Sequence, residues 1–383
     1  MQNHPKLSLI DHFQDLPDPC VDRTKDHDLI DILVIAICTL LCAGESFNDM
    51  EDFGHAKHDW FKTFLGLRNG IPSHDTFNRV FAALDPQAFL DCFLRWTQSL
   101  RAAVPQEIVA LDGKALRRAL NGDRSVKYVV SAWAEDNGLV LGQLKVADKS
   151  NEITALPELL RALELAGCIV TVDAMGTQKK IAKEIKEADA DYVLALKGNH
   201  ETVHQEVKSF LDATVAERDA RPVRPSKAVA TLARLETVEK DHGRIETRRY
   251  YQSAQLDWFA DRATWEGLQT VGRVEAIREI GGTRTVERRY YLSSLPVDVA
   301  TFARAVRGHW GVENKLHWVL DVQMREDQSR ARAGNAAENL ATLRRLALNL
   351  LKREKTKKRG IKGKQLNASW DHAYLLHLLG VPI

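Results

Sequence analysis

Two short stretches decide the fold: Glu107-Ile108-Val109-Ala110-Leu111-Asp112-Gly113 and Cys168-Ile169-Val170-Thr171-Val172-Asp173. Each is an apolar run too short for a buried helix, and each ends in an aspartate. Length and composition predict two buried strands. A carboxylate just past a buried strand stands at the strand's carboxyl end, where open α/β sheets place their sites. Two such acids on adjacent strands would aim their oxygens into one small volume. That pairing is costly unless a cation neutralises it, and hard oxygen ligands suit Mg²⁺ or Mn²⁺.

Outward from these runs, the pattern builds an α/β core. Lys127–Ala134 and Leu139–Val146 are β-rich and flank Asn137-Gly138, a strong hairpin signal. A helix is expected over Thr154–Leu165, stopped by Gly167. A second helix is expected over about 177–188, then a buried strand at Asp191–Leu196. Three strands, helix, strand, helix, strand is the order of an RNase H-like core. Residues 105–199 are read as its first part, 200–297 as a β-rich insertion and 298–350 as the last core helices.

The flanks are helical. Residues 1–104 read as a helical N-terminal domain, with Ser73 capping a helix that ends at Asp85-Pro86. The most apolar stretch, Leu29 to Ala43, falls short of the roughly 20 residues that span a bilayer and reads as a buried helix. Residues 351–383 form a basic C-terminal segment. Between 352 and 364, eight Lys or Arg stand against Glu354 alone.

Composition narrows the function. The 383 residues are 44% hydrophobic and 28% charged, enough for a folded core. Net charge is +2, which excludes a uniformly basic histone-like binder but allows a basic patch. The five cysteines are scattered without zinc-ribbon spacing, which argues for reduced thiols rather than a disulfide framework or zinc finger. The N-terminus has acids and prolines where a signal peptide has an apolar run, so a cytoplasmic protein is expected.

The third acid is open on pattern alone. Glu313, Asp321, Glu326 and Asp327 all compete, and on one straight helix Glu313 and its apolar neighbours cannot all face inward. The pairs His309-Trp310 and His317-Trp318 could be read as metal-binding histidines, but a spacing of eight is not the i, i+4 face of one helix.

The motifs Gly70-Ile71-Pro72-Ser73-His74-Asp75-Thr76-Phe77, Leu111-Asp112-Gly113-Lys114, Asp173-Ala174-Met175-Gly176-Thr177-Gln178, Leu196-Lys197-Gly198-Asn199 and His242-Gly243-Arg244-Ile245-Glu246-Thr247-Arg248 occur in this order. Arg307-Gly308-His309-Trp310-Gly311-Val312-Glu313-Asn314 and Leu316-His317-Trp318-Val319-Leu320-Asp321-Val322 follow. Together they resemble the ISAs-type insertion-sequence transposases, including the H-repeat-associated proteins, over essentially the whole chain. The resemblance implies a DDE transposase with an RNase H-like core and a β-rich insertion before the last catalytic acid. It places the catalytic, metal-binding acids on Asp112, Asp173 and Glu313, with Glu326 in reserve. Related transposases carry a Tyr-Arg-Glu-Lys signature around the Glu; here Val306, His309 and Leu320 stand where Tyr, Arg and Lys would be.

The implied chemistry uses two Mg²⁺ or Mn²⁺ ions. Water opens a phosphodiester at the element's end, and the freed 3′-hydroxyl attacks target DNA. The implied partners are double-stranded DNA, as terminal inverted repeats and target, and a second copy of the chain on that DNA. No membrane is expected, and the protein would work at the nucleoid. Candidate DNA contacts are Lys114, Arg117, Arg118, Lys197, His242, Arg244, Arg248, Arg249, His309, Lys355, Lys357, Lys358 and Arg359. Trp258 and Trp265 could stack a displaced base or simply pack. The alternative is an inactive or domesticated relative that binds DNA without cutting it.

Overall fold

The computed structural model describes residues 9–20, 25–120, 126–146, 152–221, 223–241 and 243–380, with backbone alone at 117–120, 126–127, 152–153 and 241. In chain order the helices are α1 (Leu29–Leu41), α2 (Phe47–Ala56), α3 (His58–Phe61), α4 (His74–Ala83) and α5 (Pro86–Leu100). Strands β1 (Ile108–Leu120), β2 (Val126–Ala134) and β3 (Leu139–Val146) follow, then α6 (Glu152–Ala162), β4 (Ile169–Val172), α7 (Lys179–Glu187) and β5 (Asp191–Leu196). After α8 (Glu201–Asp219) and α9 (Lys227–Ala230) come β6 (Ala233–Asp241), β7 (Arg244–Ser253), β8 (Thr270–Ile280) and β9 (Thr283–Ser293). The chain then runs through α10 (Val299–Gly311), a π-helical turn (Val312–His317), α11 (Trp318–Val322), α12 (Ala336–Arg353), α13 (Ile361–Trp370) and α14 (His372–Leu379).

The chain folds as two compact units. Unit one is Met1–Ala103, Gly113–Asn151 and Glu313–Ile383; unit two is Val104–Asp112 and Glu152–Val312. Strand β1 is shared by covalent continuity, its first part in unit two and its remainder in unit one.

In unit two, β1 pairs in parallel with β4, and β4 in parallel with β5. Strand β9 adds antiparallel to β5, and β8, β7 and β6 follow as an antiparallel meander. The β-rich segment expected as an insertion therefore continues the core sheet through the β5–β9 pair. Helix α10 packs on β4, β5, β6 and β7. Its Phe302, Ala305 and Val306 join Ile108, Ile169, Val193 and Tyr291 in one apolar cluster. Phe302 fills the space that a side chain at Gly272 would occupy, since a Cβ there would meet its ring at 2.3 Å.

In unit one, β2 and β3 form the expected antiparallel hairpin, with Gly138 at φ 65° in the turn. Helix α12 packs on β3, α1, α4 and α5. Leu340, Leu343, Leu346, Ala347 and Leu351 of α12 are all buried, as is almost every residue of α1. A helix apolar all round belongs inside a core, as α1 was read. Asn349 settles the backbone of Val140 by donating to its carbonyl and accepting from its N–H, both at 2.9 Å.

The strand order β3-β2-β1-β4-β5, with β1, β4 and β5 parallel, is that of an RNase H-like core. One local expectation is corrected. The run ending at Asp112 does not stop there, because β1 continues to Leu120 and carries Arg117 and Arg118 on the strand. Ala-Leu-Arg-Arg-Ala-Leu has high helix propensity, but Lys114 and Leu116 alternate inward, and burial overrides propensity.

The basic C-terminal segment is folded within unit one. Gln365 donates to Leu40 O at 3.1 Å and Ser369 to Cys42 O at 3.2 Å. The five cysteines are free thiols. Among the described residues, no helix is long and apolar enough to cross a membrane.

Candidate active site

Unit two carries the two aspartates. The β1–β4 register runs from Ile108 opposite Ile169 to Leu111 opposite Val172. Asp112 and Asp173 are thus the next residues on two neighbouring parallel strands, at the same edge of the sheet. Both are partly exposed.

The backbone after Asp173 is tightly held. The Asp173 carboxylate accepts from Gly176 N at 3.1 Å. Thr177 donates from its hydroxyl to Asp173 O at 3.0 Å and Ala195 O at 2.7 Å. Asn199 donates to Ala174 O at 2.5 Å. Gly176 is packed so closely that a Cβ would meet Val172 at 2.3 Å and Leu156 at 2.7 Å. The motifs at 173–178 and 196–199 therefore describe one buttressed turn beneath Asp173.

His309 reaches the same edge from α10. Its Nδ1 lies 3.0 Å from Thr171 Oγ1, two residues before Asp173. Burial holds its pKa at about 4, despite the opposing field of Asp173, and Arg289 and Lys197 push the same way. The ring is therefore neutral near pH 7. Lys197 is exposed just past β5. Val306, at the signature's tyrosine position, is instead a member of the α10 core cluster.

Unit one carries the competing acids. The π-helical turn holds the first of them, Glu313, at the surface. It leaves Glu313, Asn314 and Lys315 exposed while Val312, Leu316, Val319 and Leu320 are buried. Such turns frequently mark functional positions. Leu320, at the signature's lysine position, is a core residue.

Glu326 is buried and committed. Its Oε1 accepts from Arg345 at 2.8 Å. Its Oε2 lies 3.2 Å from Lys114 Nζ, in ion-pair rather than hydrogen-bond geometry. Burial alone would raise its pKa, but Arg345, Lys114 and Arg344 outweigh it and hold the carboxyl at about 2. Lys114 also lies 2.7 Å from Asp321 and 3.0 Å from Asp327. Burial works against its charge, yet these carboxylates raise its pKa above the ordinary value. Asp321 is itself raised, first by burial and then by Asp327 and Glu326, against the pull of Lys114.

The remaining candidates divide. Lys114 is buried among carboxylates, away from the open surface where a phosphate contact was expected. Arg248 pairs with Glu239 and Glu246, Arg244 with Glu246, and Arg249 with Glu236 and Glu275, so these cations bind across the β-meander. Lys355, Lys357, Lys358 and Arg359 are exposed. His242 and the side chains of Arg117 and Arg118 lie outside the described residues. Trp265 is buried, and Trp258 stacks on Phe210 with ring centroids 4.6 Å apart, which is packing within the unit. Among the described residues, no three or more His, Cys, Asp or Glu converge as a metal cage. Sequence reading missed the Lys114 cluster, since nothing local announces a lysine paired with residues some 200 positions away.

Two family models match the chain: DDE_Tnp_1-associated over residues 10–97, and the transposase DDE domain over residues 104–350. "Putative transposase YncI" of Escherichia coli O157:H7 is 38% identical over 378 residues, covering 97% of this chain and 94% of that one. "H repeat-associated putative transposase YhhI" of Escherichia coli K12 is 37% identical and covers 97% of both chains. A short relative of the same strain, "Inactive transposase YbfQ", is 39% identical over 72 residues, 19% of this chain and 86% of that one.

Proposed function

The chain belongs to the DDE transposase family, and from that premise we propose that it is an active insertion-sequence transposase that cuts DNA at its element's ends and joins the freed 3′-hydroxyl to target DNA. The observation that carries this reading is the β1–β4 register, which brings Asp112 and Asp173 to one sheet edge. Two carboxylates there fit a hard divalent cation that keeps positions for water and phosphate oxygens. Glu313, exposed on its π-turn, is the third acid of the proposal. Glu326 is a poor candidate, because Arg345 and Lys114 already neutralise it.

Two Mg²⁺ or Mn²⁺ ions, when bound, would supply charge neutralisation at the phosphodiester and lower the cost of activating its attacker. Asp112, Asp173 and Glu313 are the residues that would hold them. The turn under Asp173 fixes that carboxylate before substrate arrives, so little reorganisation is needed at the reacting centre. In this proposal neutral His309 offers DNA a hydrogen bond rather than a phosphate-neutralising charge. Exposed Lys197 and the cations at 355–359 take that second role. The proposed partners are duplex DNA and a second copy of the chain on paired ends. The proposed location is the cytoplasm, at the nucleoid.

The test is strand cleavage on labelled DNA bearing the gene's own flanks, with Mg²⁺ or Mn²⁺. Nicks at a fixed position, lost on chelation and in Asp112→Asn and Glu313→Gln, would support the reading. Cleavage surviving Glu313→Gln would transfer the third role elsewhere. The second reading, a DNA-binding relic, is favoured by the existence of a relative named inactive. Salt-sensitive binding without cleavage of intact ends would select it.

A further inference from the structure

Lys114 follows Asp112 by two residues on β1. Alternate residues of a strand leave on one face, so Lys114 shares the face of Asp112. Its side chain is buried, and its Nζ meets three carboxylates. It lies 2.7 Å from Asp321 Oδ1 and 3.2 Å from Glu326 Oε2, and it donates to Asp327 Oδ1 at 3.0 Å.

These partners belong to different parts of unit one. Glu326 is part of a fixed frame. It accepts from Arg345 of α12 at 2.8 Å, and Arg345 also donates to Ala341 O at 3.0 Å. Leu116, next on the same face of β1, packs with Val129 of β2 and with Ala337 and Ala341 of α12. Strand β1 and helix α12 thus make a firm base around Lys114. Asp321 is on α11 instead, which continues the π-helical turn without a break. Glu313 stands in the first part of that turn, about two helical turns before Asp321. The contact of Lys114 with Asp321 therefore ties the base to the helical run that carries Glu313.

Stability does not account for a charge in this place. Burying an ammonium among carboxylates costs desolvation that a well-packed apolar contact avoids. What the ion pair adds is direction. Groups 2.7 Å apart hold one separation and one register, whereas apolar surfaces can slide. That fixity has a use here, because one end of the tie is two residues from Asp112 and the other is on the helix of Glu313.

We infer that Lys114 is a positioning residue for the metal-dependent site, setting the stance of Glu313 by holding Asp321 to the face of β1 that bears Asp112. The inference rests on the reading of Glu313 as the third acid. In this role Lys114 touches neither the cation nor DNA; it acts through Asp321.

The test is Mn²⁺ affinity, read by electron paramagnetic resonance on the full chain with a duplex bearing the element's end. Lys114 itself is a poor variant, since its loss leaves buried carboxylates uncompensated, so its partner is changed. Asp321→Ala is expected to weaken Mn²⁺ binding about tenfold, in the range typical of groups that orient metal ligands. Asp321→Asn keeps an oxygen for Lys114 and should restore most of that loss. Glu313→Gln should weaken Mn²⁺ comparably, and the double variant Asp321→Ala with Glu313→Gln should bind no worse than either alone, because both act through one carboxylate. Gly334→Ala, where a Cβ would meet Ala82 O of α4 at 2.4 Å, lowers stability elsewhere in unit one and should keep Mn²⁺ affinity. Wild-type affinity in Asp321→Ala overturns the inference. Additive losses in the double variant, with no rescue by Asn, also overturn it, by making Asp321 a ligand in its own right. An equal loss in Gly334→Ala overturns it too, by showing that lowered stability suffices. Wild-type affinity in Glu313→Gln, by contrast, removes the third-acid reading and this inference with it.

Discussion

Leu111 stands opposite Val172 as the last pair of the parallel β1–β4 register, so the residues that follow, Asp112 and Asp173, leave the pairing together. Parallel strands put like ends at like edges, and that alone brings two acids separated by a helix and a hairpin to one place. If these acids hold the cations, Asp112→Asn and Asp173→Asn should each reduce metal-dependent cleavage about a thousandfold, about 4 kcal/mol of barrier. Both are partly exposed, so melting should be nearly unchanged. Cleavage at wild-type rate in either variant would remove that residue from the site.

Glu313 and Glu326 should separate cleanly in paired measurements. Glu326→Gln leaves Arg345 buried without its countercharge and takes one of three carboxylates from Lys114, and should destabilise unit one by about 3 kcal/mol. Glu313→Gln, on an exposed turn, should leave the denaturant midpoint alone while cleavage is lost. The opposite pattern would exchange the two roles.

Glu354 predicts a pH dependence. Burial would raise its pKa, but the hydroxyls of Thr356 and Tyr374 and the backbone N–H groups of Thr356 and Lys357 outweigh it and hold it at about 2. A carboxyl lower in the folded than the unfolded state stabilises fully above its ordinary value near 4.5, and that stability is lost as pH falls toward 2. Glu354→Gln should therefore flatten the acid limb of the unfolding curve between those values. Identical acid limbs would show that the ring of donors around Glu354 does not matter.

Gly334→Ala should cost about 1–3 kcal/mol, because alanine at φ 45° is strained and its Cβ would press on Ala82 O. The loss should appear as a lower melting temperature. A neutral result would mean that the loop leaves α4 at little cost.

What the sequence determined by itself was local and periodic. Apolar runs at 108–111, 169–172 and 191–196 marked the core strands, Asn137-Gly138 marked the hairpin, and the ordered motifs marked the family. The two aspartates were legible because each ends a short apolar run, a signal that needs no partner to be read. Tertiary structure alone decided the rest. Arg117 and Arg118 lie on a strand because β1 pairs onward, against their own propensity. Glu313 is exposed because Val312, Leu316, Val319 and Leu320 take the buried face, a choice between faces that only packing makes. Lys114 is buried because Asp321, Glu326 and Asp327 arrive beside it from the far end of the chain. Composition sets how much charge a chain carries; only long-range packing sets which charges meet each other.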